Sequence, residues 1–178
     1  MRSACLVLLC SVLSCATVLS AEIAPVVLTL KDSKVGDWAV YKLSAIPAKG
    51  SDVPASSSTI RQEVVSLTDA KVTLRIVTLK PDGCADAISS TVVHRQAPYG
   101  PLASATEKPS ASGEEKISAS TELSCRWVKV VQGRDSAQTI TTLHYAPEVP
   151  LGGIVKVHVQ FQDGQQTEQT LESFGRGK

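Results

Sequence analysis

The chain is poor in aromatic residues and contains no asparagine. Aromatic residues make up 4% of its 178 residues. The core must therefore be built from Val, Ile, Leu and Ala, which suits a pleated sheet better than an aromatic-lined pocket. Without asparagine there is no acceptor site for N-glycosylation, and Asp and Gly must form the turns.

A bias toward one sign of charge is also missing. The sequence has 18 Lys plus Arg and 17 Asp plus Glu, for a formal net charge of +1. Binding to nucleic acid or to an anionic membrane normally depends on an excess of basic residues. We therefore expect neither nucleic acid nor an anionic membrane surface as a partner.

Motifs that carry chemistry are absent as well. The sequence has no Gly-x-Ser-x-Gly elbow, no phosphate-binding loop, no Gly-x-Gly-x-x-Gly fingerprint and no His-Glu-x-x-His. His144 and His158 could meet across a hairpin, but two imidazoles without a third ligand make a weak metal site, so we expect two exposed polar residues. The sequence predicts no catalytic residue, no metal and no cofactor, and hence a protein that is not an enzyme.

The N-terminus carries the pattern of a secretory signal peptide. Arg2 precedes an apolar run over residues 5–19, which is followed by small residues and then by Glu22. The pattern predicts a signal peptide over residues 1–21 and an exported protein, periplasmic or extracellular, with no membrane span in the mature chain. In a competing interpretation Cys15 is lipidated and anchors the protein.

The best-defined stretch of the mature chain covers residues 143–161 and predicts a strand, a sharp corner and a second strand. In the second strand apolar and polar residues alternate over residues 155–161, as in a half-buried strand. Pro150 restricts the backbone at the corner, and Gly152 and Gly153 permit positive φ. We interpret these three residues as a structural corner.

Similar alternating segments recur through the mature chain, and no long helical period occurs. The sequence predicts a single all-β domain over residues 22–178, a curved antiparallel sheet or half-barrel of eight or nine short strands. A two-sheet β-sandwich is the alternative. Residues 96–115 are rich in Pro, Ser, Ala and Gly, and we predict a mobile loop there.

Two cysteines remain after the predicted leader, Cys84 and Cys125. An exported protein meets an oxidising compartment, so the pair suggests one disulfide. The alternative is two separate reduced thiols, since sequence spacing does not define the distance that a bridge requires.

Two short motifs resemble a known group of proteins: Val35-Gly36-Asp37-Trp38, and the stretch EVPLGGIVK over residues 148–156. In these motifs the chain resembles small exported bacterial β-rich proteins of unknown function, and more distantly LolA-like and TapB-like curved-sheet domains. The resemblance implies a curved sheet and a place in the cell envelope. LolA-like carriers hold lipid between such a sheet and helices, and this sequence has no segment with a clear helical pattern.

These observations lead to two functional hypotheses. The first is an exported, non-enzymatic β-domain that binds a protein or a component of the cell envelope. The second is a periplasmic carrier of an apolar, lipid-like ligand, which the Val-rich strand faces and the LolA-like resemblance suggest.

Overall fold

The computed structural model describes residues 26–80, 82–103, 107–119, 121–133 and 138–178. The predicted signal peptide and Cys15 lie outside these residues. The described chain forms nine strands and one short 3-10 turn, at Leu151–Gly153. The strands are β1 (Trp38–Ile46), β2 (Ser56–Leu67), β3 (Lys71–Leu79), β4 (Ala85–His94), β5 (Ala111–Ser118), β6 (Glu122–Gln132), β7 (Thr139–Tyr145), β8 (Ile154–Phe161) and β9 (Gln166–Gly175).

All nine strands belong to one antiparallel sheet in the order β4-β3-β2-β1-β9-β8-β7-β6-β5. Strands β1 to β4 form one meander and β5 to β9 a second, and pairing between β1 and β9 joins the two. The sheet is open, with β4 and β5 at its edges. The predicted all-β class with a single antiparallel sheet is confirmed, and the alternative of a two-sheet sandwich is not adopted.

The sheet is strongly curved. Tyr99 donates a hydrogen bond of 3.1 Å to Gln62 Oε1 on β2, and it borders the same small cavity as Val130 on β6. These strands are five positions apart in the sheet order, or about 24 Å in a flat sheet at the usual strand spacing. A single side chain can reach both only because the sheet curls around it.

Alternation divides the sheet into a buried and an exposed face. We call the face that carries Tyr41, Val64, Leu74, Leu143 and Val157 the inner face, and these residues are all buried. Segments outside the strands cover it, where other proteins would use a helix. They comprise residues 26–30, residues 99–102 and the connection between β7 and β8, all of which contribute to the same core cluster.

The predicted mobile loop over residues 96–115 differs from the structure in two respects. Strand β5 begins at Ala111, within the predicted loop. Tyr99 is held in place by two hydrogen bonds. Its backbone N–H donates to Leu28 O at 2.8 Å, and its hydroxyl donates to Gln62 Oε1. Burial raises the pKa of Tyr99 to about 12. A single large side chain in a polar stretch thus serves as an anchor for part of that stretch.

Both tryptophans lie on the outer face, each over a glycine of the neighbouring strand. A Cβ placed on Gly175 would come within 2.5 Å of Trp38 Nε1, and one on Gly113 within 2.7 Å of Trp127 Nε1. The Arg61 guanidinium lies 4.6 Å from the centre of the Trp38 ring, a cation–π contact. The aromatic rings cover backbone that the glycines would otherwise expose, which stabilises the sheet at these two positions.

Tyr41 offers a test of this buried interior through its titration. The side chain is 1% exposed, and its hydroxyl donates to Ile154 O at 3.3 Å. Burial, with a smaller contribution from nearby Tyr99, raises the pKa of Tyr41. The unfolded chain ionises this phenol near pH 10 while the folded chain does not. The contribution of Tyr41 to stability should therefore fall by about 1.4 kcal/mol per pH unit as the pH rises above about 10.

We expect Tyr41→Phe to be less stable than the wild type near neutral pH by about 1 kcal/mol, because it lacks the hydrogen bond. The difference should shrink and then reverse as the pH rises above about 10, because phenylalanine does not titrate. Urea unfolding of both proteins over an alkaline pH series measures this. A difference that does not change with pH would contradict the buried, protonated state of Tyr41.

Candidate functional site

A cleft of about 900 Å³ lies at one end of the sheet. Its walls come from the segment that precedes β1, from the connection between β7 and β8, and from the paired strands β5 and β6. The apolar part of the wall is formed by Val27, Leu28, Tyr145, Ala146, Val149 and Leu151. The cleft thus lies beside the filled inner face.

The connection between β7 and β8 forms the largest part of the wall, and it contains the predicted structural corner. Pro150 is buried with φ of −69°. Gly152 and Gly153 both have positive φ, 84° and 79°. Leu151, between Pro150 and the two glycines, also has a positive φ of 60°, a conformation that non-glycine residues rarely adopt. The corner therefore needs its glycines, and they bring backbone to the surface of the cleft.

A buried carboxylate holds this end of the molecule together. Asp37 is fully buried. Its Oδ2 accepts a hydrogen bond from Lys34 N at 2.9 Å, and its Oδ1 accepts one from Gly177 N at 2.8 Å. Arg176 Nη1 lies 3.8 Å from Oδ2. One side chain thus joins the turn before β1 to the residues after β9.

Arg176 extends these contacts to the cleft wall. Its Nη2 donates to the carbonyl oxygens of Pro147 and Glu148, both at 3.1 Å. The connection between β7 and β8, which contains the corner, is consequently linked to Asp37 through a single guanidinium group. The sequence did not predict either role. Asp37 belongs to the motif Val35-Gly36-Asp37-Trp38, which carried no functional assignment, and no sequence pattern distinguishes Arg176.

The rim of the cleft carries charges of both signs. On β5 and β6, Arg126 Nε lies 3.8 Å from Glu114 Oε1, and Lys116 Nζ lies 2.7 Å from Glu122 Oε1. These side chains are largely exposed, so each pair contributes little to stability. They can exchange partners at low cost, which leaves the rim able to contact an incoming charged group.

Cys125 lines the cleft, but its chemistry is that of a buried structural thiol. Burial raises the pKa of the Cys125 thiol, and the nearby carboxylates of Glu148 and Glu115 raise it further. A thiol that stays protonated is a poor nucleophile. The environment of Cys125 therefore does not favour covalent catalysis.

The predicted disulfide between Cys84 and Cys125 is not formed, and both cysteines are free. Cys84 is exposed in the turn before edge strand β4, and Cys125 is buried in β6. The two strands are seven positions apart in the sheet order. The sequence interval between two cysteines carries no information about that separation.

The two histidines considered as metal ligands have separate partners. His144 pairs with Lys156, and His158 with Thr142, so the two imidazoles are offset along the β7–β8 ladder. His144 is 8% exposed, which corrects the expectation of an exposed residue.

Each imidazole has a different side chain as its hydrogen-bond partner. His144 Nε2 lies 3.1 Å from Glu115 Oε2, and His158 Nε2 lies 3.1 Å from Gln166 Oε1. In the part of the chain that the structure describes, no group of three or more His, Cys, Asp or Glu side chains is arranged to hold a metal ion.

Comparison with known proteins identifies a shared fold. No protein-family model and no curated protein matches the chain. A crystal structure provisionally described as a lipoprotein, from Parabacteroides distasonis, superposes with a TM-score of 0.51 and 12% identity, covering 85% of this chain and 100% of that one. At that identity the likeness concerns the fold alone. It agrees with the resemblance to small exported β-rich proteins.

A second structure is more distant. It is provisionally described as an outer membrane lipoprotein-sorting protein domain from Vibrio parahaemolyticus, and it covers 81% of this chain and 86% of its own at 8% identity. Its TM-score is 0.33, a superposition too loose to define a common fold. Within the described residues of the present chain, no helix is long and apolar enough to span a membrane.

The corner can be tested through Gly153. A Cβ at this position would lie 2.7 Å from the Ala146 carbonyl oxygen, in addition to the strain of a positive φ. Gly164, in the β8–β9 turn, has φ of 88° but nothing within 4 Å of its added Cβ. We expect Gly164→Ala to cost about 1–2 kcal/mol from strain alone, and Gly153→Ala to cost clearly more. Chemical denaturation measures both, and equal losses would contradict the close contact.

The role of Asp37 can be tested with Asp37→Asn. The amide has one acceptor oxygen instead of two and no charge, so one backbone N–H loses its acceptor and Arg176 loses its contact with a negative charge. We expect a loss of about 1–3 kcal/mol in the free energy of unfolding. Asp32→Asn, an exposed carboxylate on the same cleft, is the matched control and should stay within about 0.5 kcal/mol of the wild type. Similar effects of the two substitutions would argue against the anchoring role.

Proposed function

We propose that this protein is an exported, non-enzymatic domain that binds a protein component of the cell envelope in the cleft beside β5 and β6. The observation that carries the proposal is the combination of an apolar wall, about 900 Å³ of space and a rim with charges of both signs. A polypeptide segment supplies both apolar and charged side chains, and it can match such a surface.

The architecture of the cleft supports binding by a largely preformed site. Its wall is braced by the Asp37 and Arg176 contacts and by the buried corner, so little conformational entropy is lost when a partner binds. Its rim pairs are exposed and can be exchanged for contacts with the partner. Preformed walls with an adaptable rim favour selective binding.

One feature supports a binding role over catalysis. The Cys125 thiol has a raised pKa, whereas a nucleophilic thiol needs a lowered one. The predicted signal peptide and the likeness to a protein described as a lipoprotein support an envelope location, with Cys15 as the alternative anchor.

A carrier of an apolar, lipid-like ligand is the second candidate, and the apolar wall of the cleft favours it. The inner face argues against it, because residues that would line a lipid cavity under the sheet, such as Tyr41, Leu74 and Leu171, are at most 2% exposed. A lipid chain would have to lie in the cleft alone, next to a rim that carries both signs of charge.

Filling the cleft tests the proposal. Ser124 is an exposed residue of its wall, and Ser118 is an exposed residue of β5 that does not line it. We expect Ser124→Trp to abolish capture of a specific protein from the envelope fraction of the native cell, because the indole occupies the space of the partner. The control Ser118→Trp should leave capture unchanged, and circular dichroism should show both variants folded. Capture that both variants retain would exclude the cleft as the binding site.

The same pair of variants separates the two candidates. Mass spectrometry of the purified protein detects co-purified lipid, and fluorescent fatty acid titration detects uptake. We expect neither for the wild type. Lipid that is present in the wild type and in Ser118→Trp but absent from Ser124→Trp would overturn the proposal in favour of the carrier.

A further inference from the structure

Edge strand β4 is open to solvent along most of its length. Eight of its ten residues are exposed in succession, from Ala85 to Val92, on both faces of the sheet. Ile88 and Val92, on the outer face, are 68% and 60% exposed. Among the described strands β4 pairs only with β3, so alternate residues direct unpaired N–H and C=O groups away from the sheet.

Edge strands of this kind are usually protected against pairing with other chains. Charged residues, prolines, bulges and short lengths are the common means of protection. The stretch AISSTVV, residues 87–93, contains no charged residue and no proline, and the one irregularity in its ladder with β3 comes before it, between Ala85 and Ala87. The opposite edge differs, because β5 carries Glu114, Glu115 and Lys116 in succession at its centre. Charged side chains thus protect the β5 edge against pairing with other chains, whereas the central part of the β4 edge has no such protection.

The sequence of β4 is complementary to itself when two copies run antiparallel. With Ser90 opposite its own copy, Ile88 lies opposite Val92, and Asp86 lies opposite His94. Small hydroxyl side chains therefore meet at the two-fold axis, and apolar side chains meet on either side. A carboxylate meets an imidazole that can donate a hydrogen bond to it at each end of the pairing.

This register also satisfies the physical requirements of an edge pairing. Apolar cross-strand pairs and pairs of opposite charge stabilise an antiparallel ladder. The exposed Ile88 and Val92 side chains would cover each other, which would remove apolar surface from water. Asp86 lies 3.8 Å from Lys80 Nζ within its own chain, and both side chains are more than half exposed. The carboxylate is accordingly available to a second partner.

We propose that two copies of this protein pair through β4 about a two-fold axis at Ser90, so that their sheets join into one continuous antiparallel sheet. The open backbone groups require an extended strand as the partner, and the self-complementary order of apolar and charged residues identifies that strand as a second β4. The pairing lies at the opposite edge of the sheet from β5, and it is independent of the cleft.

Substitution at the axis tests the pairing. Ser90→Lys places two ammonium groups opposite each other in the dimer but leaves a single exposed lysine in one chain. Sedimentation equilibrium of the wild type should show a mass that rises toward two chains with concentration. Ser90→Lys should weaken the dimer by at least about tenfold. The control is Ser118→Lys, which adds the same charge to an exposed position on β5 and should dimerise like the wild type.

Cross-linking tests the register directly. Directly opposite residues in an antiparallel pair have Cα atoms about 4.5–5.5 Å apart, within the range of a disulfide. In a Cys84→Ser background, Ser90→Cys should form a covalent dimer under mild oxidation, and Ser118→Cys should not.

Three results would overturn the proposal. They are a wild type that remains a single chain at every concentration, a dimer that Ser90→Lys leaves intact, and equal cross-linking at Ser90 and Ser118. The first would exclude self-pairing through β4. Circular dichroism of each variant distinguishes loss of pairing from loss of fold.

Discussion

The carboxylate of Asp37 is the interaction on which this end of the molecule depends. A fully buried acidic group is tolerable only when hydrogen bonds and positive charge compensate for its lost hydration. Here the backbone N–H groups of Lys34 and Gly177 and the guanidinium of Arg176 supply both. Because Arg176 also binds two carbonyl groups of the β7–β8 connection, the position of the cleft wall follows from the burial of one side chain.

The way in which the core is filled determines where a ligand can bind. The sheet curls, and three non-strand segments occupy its inner face, so the interior is closed by side chains such as Tyr41 and Leu171. Among the described residues the larger space lies beyond the end of these segments, where the corner meets β5 and β6, and a much smaller cavity lies beside Tyr99. A curved sheet filled by loops thus presents a surface cleft, whereas a sheet covered by a separate helix can leave a cavity beneath it.

Local features of the sequence were sufficient to predict the class of fold. The alternating strand over residues 155–161 and the corner could be identified because alternation and turn residues act over a few neighbouring positions. Contacts between distant parts of the chain could not be predicted from such local patterns. Gly177 binds Asp37 across 140 positions, and His144 is buried only because Glu115 and Trp127 lie beside it in space. Gly113 suggested a loop, yet it is a strand residue that accommodates an indole ring.

The pairing of β1 with β9 has a consequence for the order in which the molecule can fold. Each meander is built from neighbouring hairpins, whose loops are short and close rapidly. The central ladder pairs Trp38 with Gly175, and it must close almost the whole chain as one loop. Contacts of such long range form slowly. The two halves can therefore gain structure independently, but the complete sheet must wait until β1 and β9 are both free to pair.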